Sequence, residues 1–71
     1  MEDKKQTLEE FVKGKRKSLK LTQKEMAEKA GVGLRFIREL ERGKKTLKMD
    51  KVDQVLDLFG YKLGPQKYYR T

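Results

Sequence analysis

Residues 21–43, LTQKEMAEKAGVGLRFIRELERG, hold two short amphipathic segments around one glycine, and the second carries its arginines on a single flank. Thr22 and Glu25 stand at the T-x-x-E spacing of a capping box, in which each side chain satisfies an orphan amide, so a helix is predicted to open at Thr22. Met26, Ala27 and Ala30 then recur at helical spacing and form a narrow apolar stripe. Two of the three are alanines, small enough for a crossing helix to approach closely. Gly31 ends the run, where a tight turn needs a positive φ that a residue without Cβ adopts at no steric cost. Val32 is expected to tuck beneath the turn.

A second helix is predicted over residues 33–42. At about 100° per residue its side chains sort into two faces. Phe36, Ile37 and Leu40 share one; Arg35, Arg38, Glu39 and Arg42 share the other, with Leu34 at the margin. Two helices about a tight turn, one flank apolar for the neighbour and the other cationic, make a helix-turn-helix suited to the major groove of DNA. The N-terminal half of such a helix meets the bases, so Leu34, Arg35, Arg38 and Glu39 are the candidate base contacts. An arginine fork fits the O6 and N7 acceptors of guanine, a glutamate accepts from a cytosine amine, and a leucine touches a thymine methyl. Glu39 has a second reading, in which it only orients an arginine. Arg42 and the loop residues Lys44, Lys45 and Thr46, following Gly43 as a left-handed C-cap, fall where the duplex backbone passes and are candidate phosphate contacts. Gln23 joins them, because its side chain and the free amides of a helix start suit one phosphate.

The bulk properties agree. A chain of 71 residues buries one modest core, and its formal net charge of +8 favours polyanions, with binding that weakens steeply in salt. Charged residues reach 42 %, a composition near that of disordered chains, but the apolar residues fall on helical stripes, which argues for a fold. Cysteine and histidine are absent, so disulfides, a cysteine nucleophile and the usual zinc ligands are excluded, and no metal or cofactor is expected. An enzyme is not expected either: Glu9 with Glu10, and Asp53 with Asp57, lie on polar helix faces without a nucleophile or a phosphate-cradling loop. No apolar run spans a bilayer and the N-terminus is unlike a signal peptide, so a cytoplasmic, nucleoid-associated protein without membrane or small-molecule partners is expected.

Outside the central stretch, residues 1–6 are read as a flexible N-terminus, residues 7–64 as the folded domain and residues 65–71 as a tail. Thr7 and Glu10 form a second capping box, opening a helix with Leu8, Phe11, Val12 and Leu19 on or near its apolar side. Gly14 interrupts that helix, and Lys13 and Lys17 suit either a solvated face or a phosphate. A further helix carries Met49, Val52, Val55, Leu56 and Phe59 as an apolar stripe closed by Gly60. Tyr61, Lys62 and Leu63 alternate as in a short strand before Gly64 and Pro65. A lone strand needs a partner, and the same strand of a second copy supplies one, giving a two-fold homodimer; the alternative is irregular chain folded back on the helices. Two recognition helices about a dyad would meet half-sites roughly 34 Å apart in a palindromic operator on double-stranded DNA.

Residues 21–43 resemble the Cro/CI (XRE) type of helix-turn-helix regulator, with Gln23, Ala27, Gly31, Ile37 and Leu40 at that family's anchoring, crossing, turn and core positions. The continuation GKKTLKMDKVDQVLDLFGYKLG is similar to HipB-like antitoxins, and the resemblance extends over residues 8–64. It implies an all-α, lambda-repressor-like bundle of about four to five short helices with a short C-terminal strand pairing across a dimer. It also implies an autorepressor that neutralises a HipA-like kinase toxin. A stand-alone XRE-family regulator shares most of these residues, and a protein-interaction module that holds a partner without reading DNA is the reading from another class. Gly33 departs from the serine or threonine N-cap frequent in the family, so a hydroxyl contact to phosphate is not expected there. Arg16 matches a family position that pairs with the glutamate ending the recognition helix, here Glu41. On the helix wheel Glu41 lies beside Ile37, at the edge of the apolar face, where a carboxylate needs a cation. An Arg16 to Glu41 pair is therefore predicted, with the guanidinium near a phosphate.

Overall fold

A computed structural model of the chain describes residues 6–61. Among the described residues four helices follow one another: α1 (Leu8–Ser18), α2 (Gln23–Ala30), α3 (Leu34–Glu41) and α4 (Met49–Leu58). Both capping boxes form. The Thr7 hydroxyl accepts the Glu10 N–H at 3.2 Å and the Glu10 carboxylate accepts the Thr7 N–H at 3.2 Å. At α2 the corresponding distances for Thr22 and Glu25 are 3.0 and 2.8 Å. Thr22 is thus the cap, and the helix proper starts one residue later. Likewise Gly33 is an extended cap without a side-chain bond, so α3 begins at Leu34 and ends at Glu41, with Arg42 as its C-cap.

All four helices stop on the same pair of backbone bonds. After α2, the Val32 N–H reaches the Ala27 carbonyl at 3.0 Å while the Gly31 N–H lies 3.3 Å from the Glu28 carbonyl. The pattern needs a left-handed residue, and Gly31 supplies it at φ 77°. Lys44 and Gly43 close α3 in this way, and Tyr61 and Gly60 close α4. At α1 the left-handed position belongs to Lys20, at φ 59°, with the Leu21 N–H bonded to the Arg16 carbonyl at 3.0 Å. A side chain with a Cβ is strained there by about 1 to 2 kcal/mol.

Every helix sends side chains to one core: Val12 from α1, Met26 and Ala27 from α2, Ile37 and Leu40 from α3, and Val52, Val55 and Leu56 from α4. Leu8, Phe11, Leu21, Val32, Phe36 and Phe59 pack around it, half covered. Burying one such large side chain contributes about 1.5 to 3 kcal/mol, so these contacts outweigh helix propensity in a chain of short helices. α2 and α3 pack directly on each other, with α4 against α2 and α1 against α3. From α4, the Gln54 amide donates to the carbonyls of Ala30 and Gly31 at 3.3 and 3.4 Å and ties that helix to the central turn.

Three expectations need correction. Leu19 is exposed, because α1 ends at Ser18 and the reversal at Lys20 aims Leu21 inward in its place. Met49, in the first residue of α4, is also exposed, so the buried stripe of that helix starts at Val52. Tyr61 is in no strand: its N–H bonds the Leu56 carbonyl at 2.9 Å and its ring meets Phe11 edge-on at 4.9 Å, with the Lys15 ammonium 5.3 Å from the Tyr61 ring centre. Among the described residues the fold is all-helical. Lys62 and Leu63 of the expected strand, residues 1–5 of the expected flexible terminus and the tail 65–71 lie outside the described residues. Gly14 has no neighbour that a Cβ would touch, so no close approach explains it.

Candidate nucleic-acid interface

The division of α3 into two flanks sets the geometry of the site. Ile37 and Leu40 are buried on one flank, and Arg35, Arg38 and Arg42 are exposed on the other. Because Ile37 and Leu40 lock the helix by its apolar side, the arginines project from a rigid support and not from a loop. Leu34 is half-buried and packs against the core, so only part of it faces outward. Arg35 extends furthest, with its side chain 91 % exposed. The loop residues Lys44, Lys45 and Thr46 are exposed beside the C-terminal end of the helix.

Glu39 is not an isolated polar residue on this surface. Its carboxylate lies 3.5 Å from the Arg35 Nε, one turn back, and 3.4 Å from the Lys44 ammonium across the turn. Its backbone carbonyl accepts the Lys44 N–H at 3.1 Å. The side chain is only 27 % exposed, seated in a groove that includes Phe36, Thr46 and Leu47. The tie to Lys44 was not legible in the helical pattern, since it depends on the left-handed Gly43 bringing the chain back.

Behind the arginine flank of α3, Arg16 of α1 meets the Glu41 carboxylate through two bonds, from Nε at 2.7 Å and from Nη2 at 3.1 Å. Nη1 of Arg16 donates to the Leu21 carbonyl at 2.9 Å. Three of the five guanidinium N–H donors are therefore committed within the protein. The side chains are 13 % and 2 % exposed, which puts this pair among buried ion pairs and not surface ones. The Gln23 amide also donates to the Glu41 carboxylate, at 3.1 Å. Arg16 and Gln23, both candidate phosphate contacts, thus converge on one carboxylate at the junction of α1, α2 and α3. Burial by itself pushes the Glu41 carboxyl up; the bonds from Arg16 and Gln23 and the nearby charges of Arg16 and Lys13 outweigh it and hold the carboxyl below its ordinary value.

What the surface offers chemically is a set of cationic and amide donors around one helix. Among the described residues no group of acidic side chains is placed to hold a metal ion, and no helix is long and apolar enough to cross a membrane.

Comparison with known proteins gives the same outline. A protein of Sinorhizobium fredii (strain NBRC 101917 / NGR234) described as an uncharacterized HTH-type transcriptional regulator, y4mF, is 56 % identical over 45 residues. The aligned part is 63 % of this chain and 59 % of the relative, so the chain matches somewhat over half of that protein. No solved structure matches. The profile of the helix-turn-helix family matches residues 12–65, three quarters of the chain and all of α2, α3 and α4, and the chain belongs to that family.

Proposed function

We propose that the protein is a sequence-specific DNA-binding transcriptional regulator that inserts α3 into the major groove and represses its own promoter. The observation that carries this reading is the two-sided α3, its apolar flank closed into the core and its arginine flank open. Arg35, Arg38 and Glu39, with the outward part of Leu34, read base edges; Gln23, Arg42, Lys44, Lys45 and Thr46 set the position of the helix on the phosphates. Arg16 serves mainly through Glu41, holding α1 against α3, with its remaining donors toward the backbone. Family membership and the name of the S. fredii relative support regulation of transcription as the setting.

The finer reading is a homodimer on a palindromic operator, acting as the antitoxin of a HipA-like kinase. It rests on the resemblance of residues 8–64 to HipB-like proteins. Co-expression with the product of the adjacent reading frame tests it: a HipA-like kinase whose toxicity this chain relieves supports the antitoxin role, and an unrelated neighbour removes it.

Fluorescence anisotropy on duplexes from the protein's own upstream region tests the main proposal. Binding should weaken steeply with salt, and an Arg35→Ala plus Arg38→Ala variant should lose about tenfold or more on the preferred duplex while melting as the native protein does, since a good base contact is worth about 1 to 3 kcal/mol. A folded double variant that binds unchanged would overturn the assignment of α3 as reader.

A further inference from the structure

Glu39 places a negative charge in the middle of a surface whose other charged side chains along α3 and the following loop are Arg35, Arg38, Arg42, Lys44, Lys45 and Lys48. If that surface served only to hold a polyanion, a carboxylate at its centre would be a defect. Its burial shows how it is held. Glu39 is about three quarters covered, beside Phe36 and Leu47, whereas its ion-pair partners are far more open, Arg35 at 91 % and Lys44 at 45 %. Both contacts are also long, at 3.5 and 3.4 Å. Exposed pairs of this kind are weak and readily exchanged. The carboxylate is therefore the fixed member and the two cations are the movable ones.

We propose that Glu39 is the specificity-determining residue of the reading helix: its fixed carboxylate accepts an amino group at the base edge of the preferred site and weakens binding at other sequences by competing with phosphates for Arg35 and Lys44. This rests on the DNA-binding function proposed above. On a duplex, the contacts of Arg35 and Lys44 with Glu39 compete with those to bases and phosphates. A cytosine N4 or an adenine N6 amino group in the major groove gives the abandoned carboxylate a donor. A guanine O6 or thymine O4 at the same place offers only lone pairs, and the charge is left facing acceptors in a partly dried interface. Discrimination of this kind works by penalising the wrong partner as much as by rewarding the right one.

Neutral, near-isosteric Glu39→Gln and charge-preserving Glu39→Asp variants separate charge from reach. The duplexes are one selected from a randomised pool by the wild-type protein and one of scrambled sequence. Glu39→Gln is expected to bind the scrambled duplex about three- to tenfold more tightly, with the slope of log K against log salt steeper by about one to two as the freed cations meet phosphates. Its preference for the selected duplex should fall by about tenfold or more. When it selects from the same pool, discrimination at one position of the half-site should relax, because a carboxamide offers its oxygen to amino groups and its N–H donors to guanine O6 or thymine O4. Glu39→Asp should keep the low affinity and salt slope on scrambled DNA while losing the base preference, because the charge remains and the reach shortens. Melting curves establish that both variants fold, as expected for a side chain outside the core. A Glu39→Gln protein with wild-type affinity and slope on scrambled DNA, or one that discriminates as strongly as the wild type at every position of the half-site, overturns the inference and leaves DNA binding intact. A wild-type protein that enriches no duplex from the pool and does not bind the scrambled one overturns both.

Discussion

Glu41 is charged at a place nearly closed to water, and the bonds from Arg16 and Gln23 keep its carboxyl below the ordinary range. In the unfolded chain the same carboxyl takes up its proton at the usual value, about 4.3. As the pH falls below that, the unfolded state binds the proton first, so the stability contributed by the pair is full above this value and is lost as the pH drops through the lower, folded one. Glu41→Gln should destabilise the protein at neutral pH by about 3 kcal/mol, since it leaves Arg16 covered without a counter-charge. It should also flatten the acid limb of a stability profile measured by urea unfolding from about pH 7 to about pH 3; an acid limb of undiminished slope would place the titrating group elsewhere. At this scale the sequence was partly legible. The position of Glu41 on the edge of an apolar face announces a need for a cation, and the resemblance points to Arg16. The Gln23 bond to the same carboxylate, and the Gln54 bonds to Ala30 and Gly31, carry no such signal. They are set by how the helices cross, which periodicity does not encode.

Element boundaries were read well where the signal is local. The T-x-x-E pairs at Thr7 and Thr22 and the left-handed glycines at 31 and 43 act over three or four residues, and each does in space what its spacing implies. Leu19 and Met49 were misplaced because a helical stripe says which face a residue shares but not where the helix stops, and both stand at a helix end. Two changes follow from α1. Lys20→Gly relieves the left-handed strain while loosening the unfolded chain, a net gain of about 0.5 to 1 kcal/mol. Gly14→Ala, with open space at the added Cβ, should gain about 1 kcal/mol from helix propensity. Thermal melts followed by circular dichroism should show both variants melting higher, by about 4 to 8 °C per kcal/mol in a domain of this size. A lower melting point for Gly14→Ala would reveal a packing role for the bare Cα.

For the molecule as a whole, the flank of α3 that faces the core and the flank that faces outward belong to one eight-residue helix, so recognition and folding share their support. Total stability for such a chain is on the order of 4 to 10 kcal/mol, and truncating a fully buried isoleucine costs about 2 to 5. Ile37→Ala should therefore remove much of the stability and weaken DNA binding without touching an outward-facing group. Added DNA should recover part of the melting temperature through linkage; an undiminished melting point would show that α3 is not anchored as described. The four helices were legible from their apolar stripes and caps, and the resemblance implied that they form one bundle. The strand expected at Tyr61 was not found there, because the alternation of three residues is too short to outweigh the Phe11 ring that Tyr61 meets. The local start and stop signals of the helices also have a kinetic consequence. Helical domains dominated by contacts near in sequence fold within about microseconds to milliseconds. A freshly made copy is then folded almost as soon as it leaves the ribosome, so folding of the single chain adds no delay to the response of any promoter it governs.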